Sequence, residues 1–304
     1  MSGKPGTFYI KVHNPDSVFK LTKMEKRITN LIKDYRRGGI DRREFLKKLA
    51  VYAGSTAAAM ALIPTDDWAS LQDNDPDLVT EFIKYQGETG EVRAYLARPK
   101  ARKKYPAVIV IHENKGLVPH IRDVNRRMAR EGFLSLAPDA LSPVGGTPDD
   151  ITNVGELFGK LKPEETTKNF VAAVKYLKTH PNSNGKVGCT GFCWGGAMTN
   201  QVAVNSPDLN AAVPYYGRQP KPEDIPKIKA PVMAHYAEND QGINAGIPAF
   251  EEALKKAGIE YQIFIYPGTG HAFNNDSNPS RYNEQAAKLA WKRTVDFFTE
   301  KLKG

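Results

Sequence analysis

Between Ala107 and Leu302, short apolar runs alternate with stretches whose apolar residues fall at helical spacing. That alternation limits the fold more than any other feature of the chain. AVIVIH, from Ala107 to His112, has no polar break, the pattern of a strand covered on both faces of a parallel sheet. FLSLAP, KVGCTG, AAVPYYG, PVMAHYA and YQIFIYP repeat the strand signal. His120–Arg130, Lys168–Thr179, Gly196–Asn205, Pro248–Ala257 and Glu284–Leu302 read as helices. Strands joined by crossover helices require a mostly parallel central sheet wrapped on both faces. Two earlier runs, Thr80–Tyr85 and Val92–Arg98, flank GETGE and predict a hairpin. Residues 75–304 therefore read as one α/β domain, preceded by a leader and linker over residues 1–74.

One junction is unusually tight. KVGCTG ends at Gly191 and GGAMTNQVAVN starts a helix at Gly195, leaving Phe192, Cys193 and Trp194 to turn the chain. A Cβ two residues before or after the tip would collide with the packed strand and helix, which explains both glycines. A side chain at such a tip stands above the carboxyl edge of the sheet, where open α/β folds place their sites. GFCWG thus has the form of a nucleophile elbow carrying sulfur. Taken alone, it equally suits a small buried cysteine in a Gly-rich turn. Cys189, the other cysteine, lies within the strand and reads as core. Pairing it with Cys193 would require the elbow to unwind.

A thiol nucleophile needs a base, and the base needs an orienting group. HYAEND puts Asp240 just past a strand, and YPGTGHAF puts His271 in a loop after the next strand. Cys193, Asp240, His271 is the chain order of nucleophile, acid and histidine in α/β-hydrolases. Individually, Asp240 also suits a turn and His271 a helix cap or surface loop. Glu113 follows AVIVIH at the same edge, where a solvated carboxylate is the simplest reading. His235 reads as a core histidine. No zinc helix motif is present, because position 116, four after His112, is Gly116.

The formal charge of +9 suggests nucleic acid until it is located. Residues 1–48 hold thirteen Lys/Arg against five Asp/Glu, and the remaining 256 residues hold thirty against twenty-nine. The body is nearly neutral, so nucleic-acid binding by the fold is unsupported. Two cysteines supply neither a disulfide framework nor four metal thiolates. Within the leader, DRREFLKK precedes a weakly apolar stretch from Leu49 to Ile63. This resembles a twin-arginine export signal and predicts a periplasmic or exported protein, with the twin-arginine translocase as partner. Asp41 in the serine position, a long preceding region and no clear cleavage site depart from that pattern. The alternative is a retained amphipathic helix on a cytoplasmic protein.

HENKGLVPHIRDVNRRMAREGFLSLAPD, GFCWGG, YYGR, HYAEND and GHAFNN, in that order, resemble the dienelactone hydrolase family over residues 80–302. The resemblance implies an α/β-hydrolase fold and a cysteine-dependent ester or lactone hydrolase acting through an acyl-cysteine, with no cofactor or metal. It implies that Glu113 contacts Cys193 at rest and takes its proton when substrate binds. Cys193 then attacks the carbonyl, assisted by His271 with Asp240 behind it. Backbone N–H groups of Asn114 and Trp194 form the oxyanion hole, and Tyr216 lies near the substrate. Members that cleave dienelactone carry an arginine four residues after the catalytic histidine; here that residue is Asn275, with Arg281 or Arg218 as substitutes for gripping substrate. The alternatives are an acyltransferase or thioesterase on this scaffold, and a non-catalytic homologue that binds a ligand or partner. The physiological substrate and oligomeric state are not legible.

Overall fold

The computed structural model describes residues 75–303, together with residues 27, 28, 30, 31, 48, 49, 51 and 52 of the leader. The chain divides into two compact units, Met1–Asp75 and Pro76–Gly304. The paired arginines Arg42 and Arg43 lie outside the described residues. Among the described residues no helix is long and apolar enough to cross a membrane, and no cluster of three metal-ligating side chains occurs.

The second unit is an eight-stranded sheet: β1 Leu78–Gly87, β2 Gly90–Pro99, β3 Tyr105–Ile111, β4 Leu134–Pro138, β5 Ser183–Phe192, β6 Ala211–Tyr215, β7 Val232–Asn239 and β8 Tyr261–Gly270. Their spatial order is β1-β2-β4-β3-β5-β6-β7-β8. β2 is antiparallel to both its neighbours, and every pairing from β4 to β8 is parallel. This is the mostly parallel sheet that the alternation predicts, in the α/β-hydrolase arrangement that the resemblance implies.

The helices are α1 Pro119–Arg130, α2 Val154–Gly159, α3 Pro163–Thr179, α4 Trp194–Asn205, α5 Gln241–Asn244, α6 Ile247–Lys256 and α7 Glu284–Lys303. β3 shows why the apolar run is unbroken. Ala107, Ile109 and Ile111 pack with Phe170 and Leu177 of α3, Val202 of α4 and Leu254 of α6. Val108 and Val110 point the other way, into a cluster with Ile121 and Met128 of α1 and Phe297, Phe298 and Leu302 of α7. All five are fully buried, and the four larger side chains are each worth roughly 1.5–3 kcal/mol.

The differences from expectation are local. α3 begins at Pro163, where a proline at the first turn followed by Glu164 and Glu165 suits a helix N-terminus. α4 begins at Trp194, because Cys193 itself is the residue preceding the helix. The one-turn α5 and the short α2 were too brief to show a period.

Candidate active site

Strand register assembles the site. Ile111 of β3 lies opposite Gly191 of β5, so two residues further on Glu113 and Cys193 emerge at the same edge. Phe192 lies opposite Tyr215, which brings Tyr216 beside Cys193. Asn239 lies opposite Gly270, which sets Asp240 next to His271. Residues far apart in sequence thus meet because each follows the carboxyl end of an aligned strand.

Cys193 tops the elbow at φ 56°, ψ −114°. A Cβ on Gly191 would stand 2.3 Å from the Gly195 carbonyl oxygen, and one on Gly195 would stand 2.4 Å from the carbonyl oxygens of Ile111 and His112. Among the described residues three non-glycine residues have positive φ: Cys193, Tyr216 at 36° and Ala272 at 69°. All three flank the same side chains, and backbone strain of this kind, on the order of 1–3 kcal/mol per residue, clusters at functional sites.

His271 Nδ1 lies 2.5 Å from Asp240 Oδ2, and the imidazole also hydrogen-bonds the Cys193 side chain. The bond to Cys193 raises the His271 pKa most, burial opposes it and Asp240 adds to the rise, for a value of about 9. The imidazolium is therefore favoured at neutral pH, the form that can donate a proton to a leaving group.

Glu113 has a partner that the resemblance does not supply: its Oε2 accepts a 2.6 Å hydrogen bond from Asn275 Nδ2. Asn275 is itself oriented, because its Oδ1 accepts from the Ser277 N–H at 3.0 Å and the Ser277 hydroxyl at 2.6 Å. The next residue, Asp276, ties this loop to α1 through His120 and Arg127. Although burial pushes the Asp276 carboxyl up, those partners hold it at about 2.

Trp194 is the first residue of α4, so its N–H belongs to the first turn, which the helix ladder leaves free. Asn114 lies exposed after Glu113. Both border one cavity of about 240 Å³. Tyr216, expected against substrate, is 1% exposed, and its ring meets His271 edge-on at 5.1 Å between centroids. Its position suits holding the imidazole rather than lining an open wall. Arg281 is exposed and borders a second cleft with His271. Arg218 is also exposed, with its carbonyl accepting from Asn200 Nδ2 at 3.0 Å.

Two histidines separate cleanly from the site chemistry. His235 is fully buried between Tyr266 and Thr294, and burial with nearby Arg293 pushes its pKa down to about 3. His112, which lacks the second histidine of a zinc helix motif, bonds the Glu113 carbonyl through Nδ1 at 2.7 Å and receives the Ala140 N–H on Nε2 at 3.1 Å. Its ring stacks on Trp194 at 5.5 Å. It therefore ties the backbone at Glu113 to that at Ala140, and burial lowers its pKa. Cys189 is buried in β5, where desolvation raises its thiol to about 12, although its bond to Thr199 opposes that rise. It is a packing residue.

The family model for the dienelactone hydrolase family matches residues 92–302. Proteins named "Putative carboxymethylenebutenolidase" are 34% identical in Methylorubrum extorquens, over 81% of this chain and 89% of that protein, and 34% identical in Yersinia pestis, over 78% and 93%. A solved structure described as "Putative Dienelactone Hydrolase", from Klebsiella pneumoniae, has a TM-score of 0.67 at 31% identity, covering 73% of this chain and 98% of its own. A parallel sheet with one reversed strand, a glycine-flanked elbow and a match across more than two thirds of the chain converge on one family. The chain belongs to the dienelactone hydrolase family of α/β-hydrolases.

Proposed function

We propose that the protein hydrolyses an ester or lactone through an acyl intermediate on Cys193. The observation that carries this reading is the continuous line Asp240–His271–Cys193 on the strained elbow. The thiolate attacks the substrate carbonyl, and the N–H groups of Asn114 and Trp194 receive the oxyanion, a contribution of about 3–4 kcal/mol each. As the tetrahedral intermediate collapses, the leaving alkoxide takes the proton from the His271 imidazolium. His271 then removes a proton from water, which attacks the thioester and releases the acid and the thiolate. Asp240 holds the ring through Nδ1 throughout.

The cause of the raised His271 pKa gives the cycle its direction. Its largest contribution is the bond to Cys193, and acylation replaces that sulfur partner with a thioester. The imidazole's proton affinity therefore falls at the step where it must act as a base. Titration of His271 by NMR tests this. A pKa well above 6.5 is expected in the free enzyme, with a fall after Cys193 is alkylated. An unchanged or higher value after alkylation contradicts the pairing.

For the leader we propose export through a twin-arginine-type signal, supported by the run DRREFLKK ahead of an apolar stretch. Replacing Arg42 and Arg43 with lysine should shift the protein from periplasm to cytoplasm on cell fractionation. Equal distribution of the variant and the natural chain overturns this.

A further inference from the structure

Resting on the ester-hydrolase reading above, we propose that the cavity beside the oxyanion donors seats a short, uncharged acyl group, with the leaving alcohol on the opposite side against His271 and Arg281. The cavity of about 240 Å³ is bordered by Asn114 and Trp194, the residues whose N–H groups flank the reacting carbonyl. Phe158 of α2, Leu161, and Met198 of α4 supply further walls, and none of the eight lining residues is charged.

Direction follows from the chemistry. At the tetrahedral centre one substituent is the Cys193 sulfur and one is the oxyanion between the two N–H groups. The leaving group must face the His271 proton. The acyl chain takes the remaining direction, on the oxyanion side. The two sides of the site differ in character accordingly. The cleft bordered by His271 also has Thr269, Ser280, Arg281 and Asn283 on its walls, a polar and cationic setting for an alcohol.

The acyl cavity has fixed walls. The Phe158 and Trp194 rings meet edge-on at 5.1 Å, Trp194 packs on Phe170 at 6.3 Å, and the Thr167 hydroxyl lies 3.5 Å from the Met198 sulfur. Its volume falls below the roughly 300–1,000 Å³ of sites for drug-sized ligands, which limits the acyl chain to a few carbons. A carboxylate at its end would enter an apolar space with no cation to pair with, a heavily penalised placement. The neutral Asn275, on the Glu113 side, has its amide committed to that carboxylate.

The test uses the full chain and p-nitrophenyl esters from acetate to octanoate, together with the p-nitrophenyl monoester of glutarate, so that the leaving group stays constant. The expected kcat/KM rises by roughly tenfold for favourable added methylenes, then falls at octanoate. The glutarate monoester should be cleaved at least about 100-fold less well than hexanoate, its neutral counterpart in length. Leu161→Trp should suppress hexanoate and spare acetate, and Leu161→Lys should recover part of the glutarate activity. A glutarate monoester cleaved as well as hexanoate, or a Leu161→Trp variant that lowers every ester equally, overturns the acyl-cavity assignment alone. Absence of turnover with every ester, equal to that of Cys193→Ser, overturns the hydrolase reading itself.

Discussion

Replacing Cys193 with serine, or His271 with alanine, is expected to lower kcat for p-nitrophenyl acetate by roughly 10⁴-fold or more, because the members of such a triad act as a unit. Serine preserves the elbow's shape, so circular dichroism and thermal unfolding should stay close to the natural protein. What disappears is the sulfur nucleophile and its bond to the His271 imidazole. Removing the imidazole takes away both the acid for the leaving group and the base for water. Cys189→Ala is the matched control. Its sulfur is buried in β5 against Thr199, and turnover should persist with a modest loss of stability from the vacated volume. Retained turnover in Cys193→Ser or His271→Ala contradicts the chemistry.

The second large effect is structural. Gly195→Ala places a methyl carbon 2.4 Å from two backbone carbonyl oxygens, those of Ile111 and His112. Neither β3 nor the elbow can yield without moving Glu113 and Asn114, which follow directly on that segment. A loss of about 3 kcal/mol or more is expected, from overpacking against backbone that has no rotamer to relieve it. For a domain of this size that lowers Tm by roughly 6–12 °C, and activity should fall further than stability because the proposed oxyanion donors are displaced. Gly159→Ala is the comparison. No heavy atom lies within 4 Å of the added carbon, so its Tm should change little. Equal Tm values for the two variants would show that the close approach at the elbow is not a constraint.

Much of this was legible in the chain because each signal was local. The unbroken AVIVIH run, the two glycines around Cys193, and residues standing just past strand ends are all visible in one dimension. The hairpin at GETGE is tight, with Gly87 opposite Gly90 and Gly90 at φ 114°. What stayed hidden depends on which strands become neighbours. Asn275 at the Glu113 carboxylate joins residues 162 apart, and nothing in HAFNND announces it. The bracing role of His112 is hidden for the same reason, because both its partners are backbone groups. Tyr216 carries the same YYG signature in either role, and burial decided between them. The walls of the acyl cavity come from three helices whose apolar residues resemble ordinary core until packing leaves a space.

The most direct measurement stops the reaction with p-nitrophenyl acetate in acid within the first turnovers and maps the added acetyl mass by peptide mass spectrometry. The account predicts an acetyl group on Cys193 that forms and decays at rates consistent with turnover. An acetyl group on another residue, or steady hydrolysis with Cys193 never modified, would contradict it.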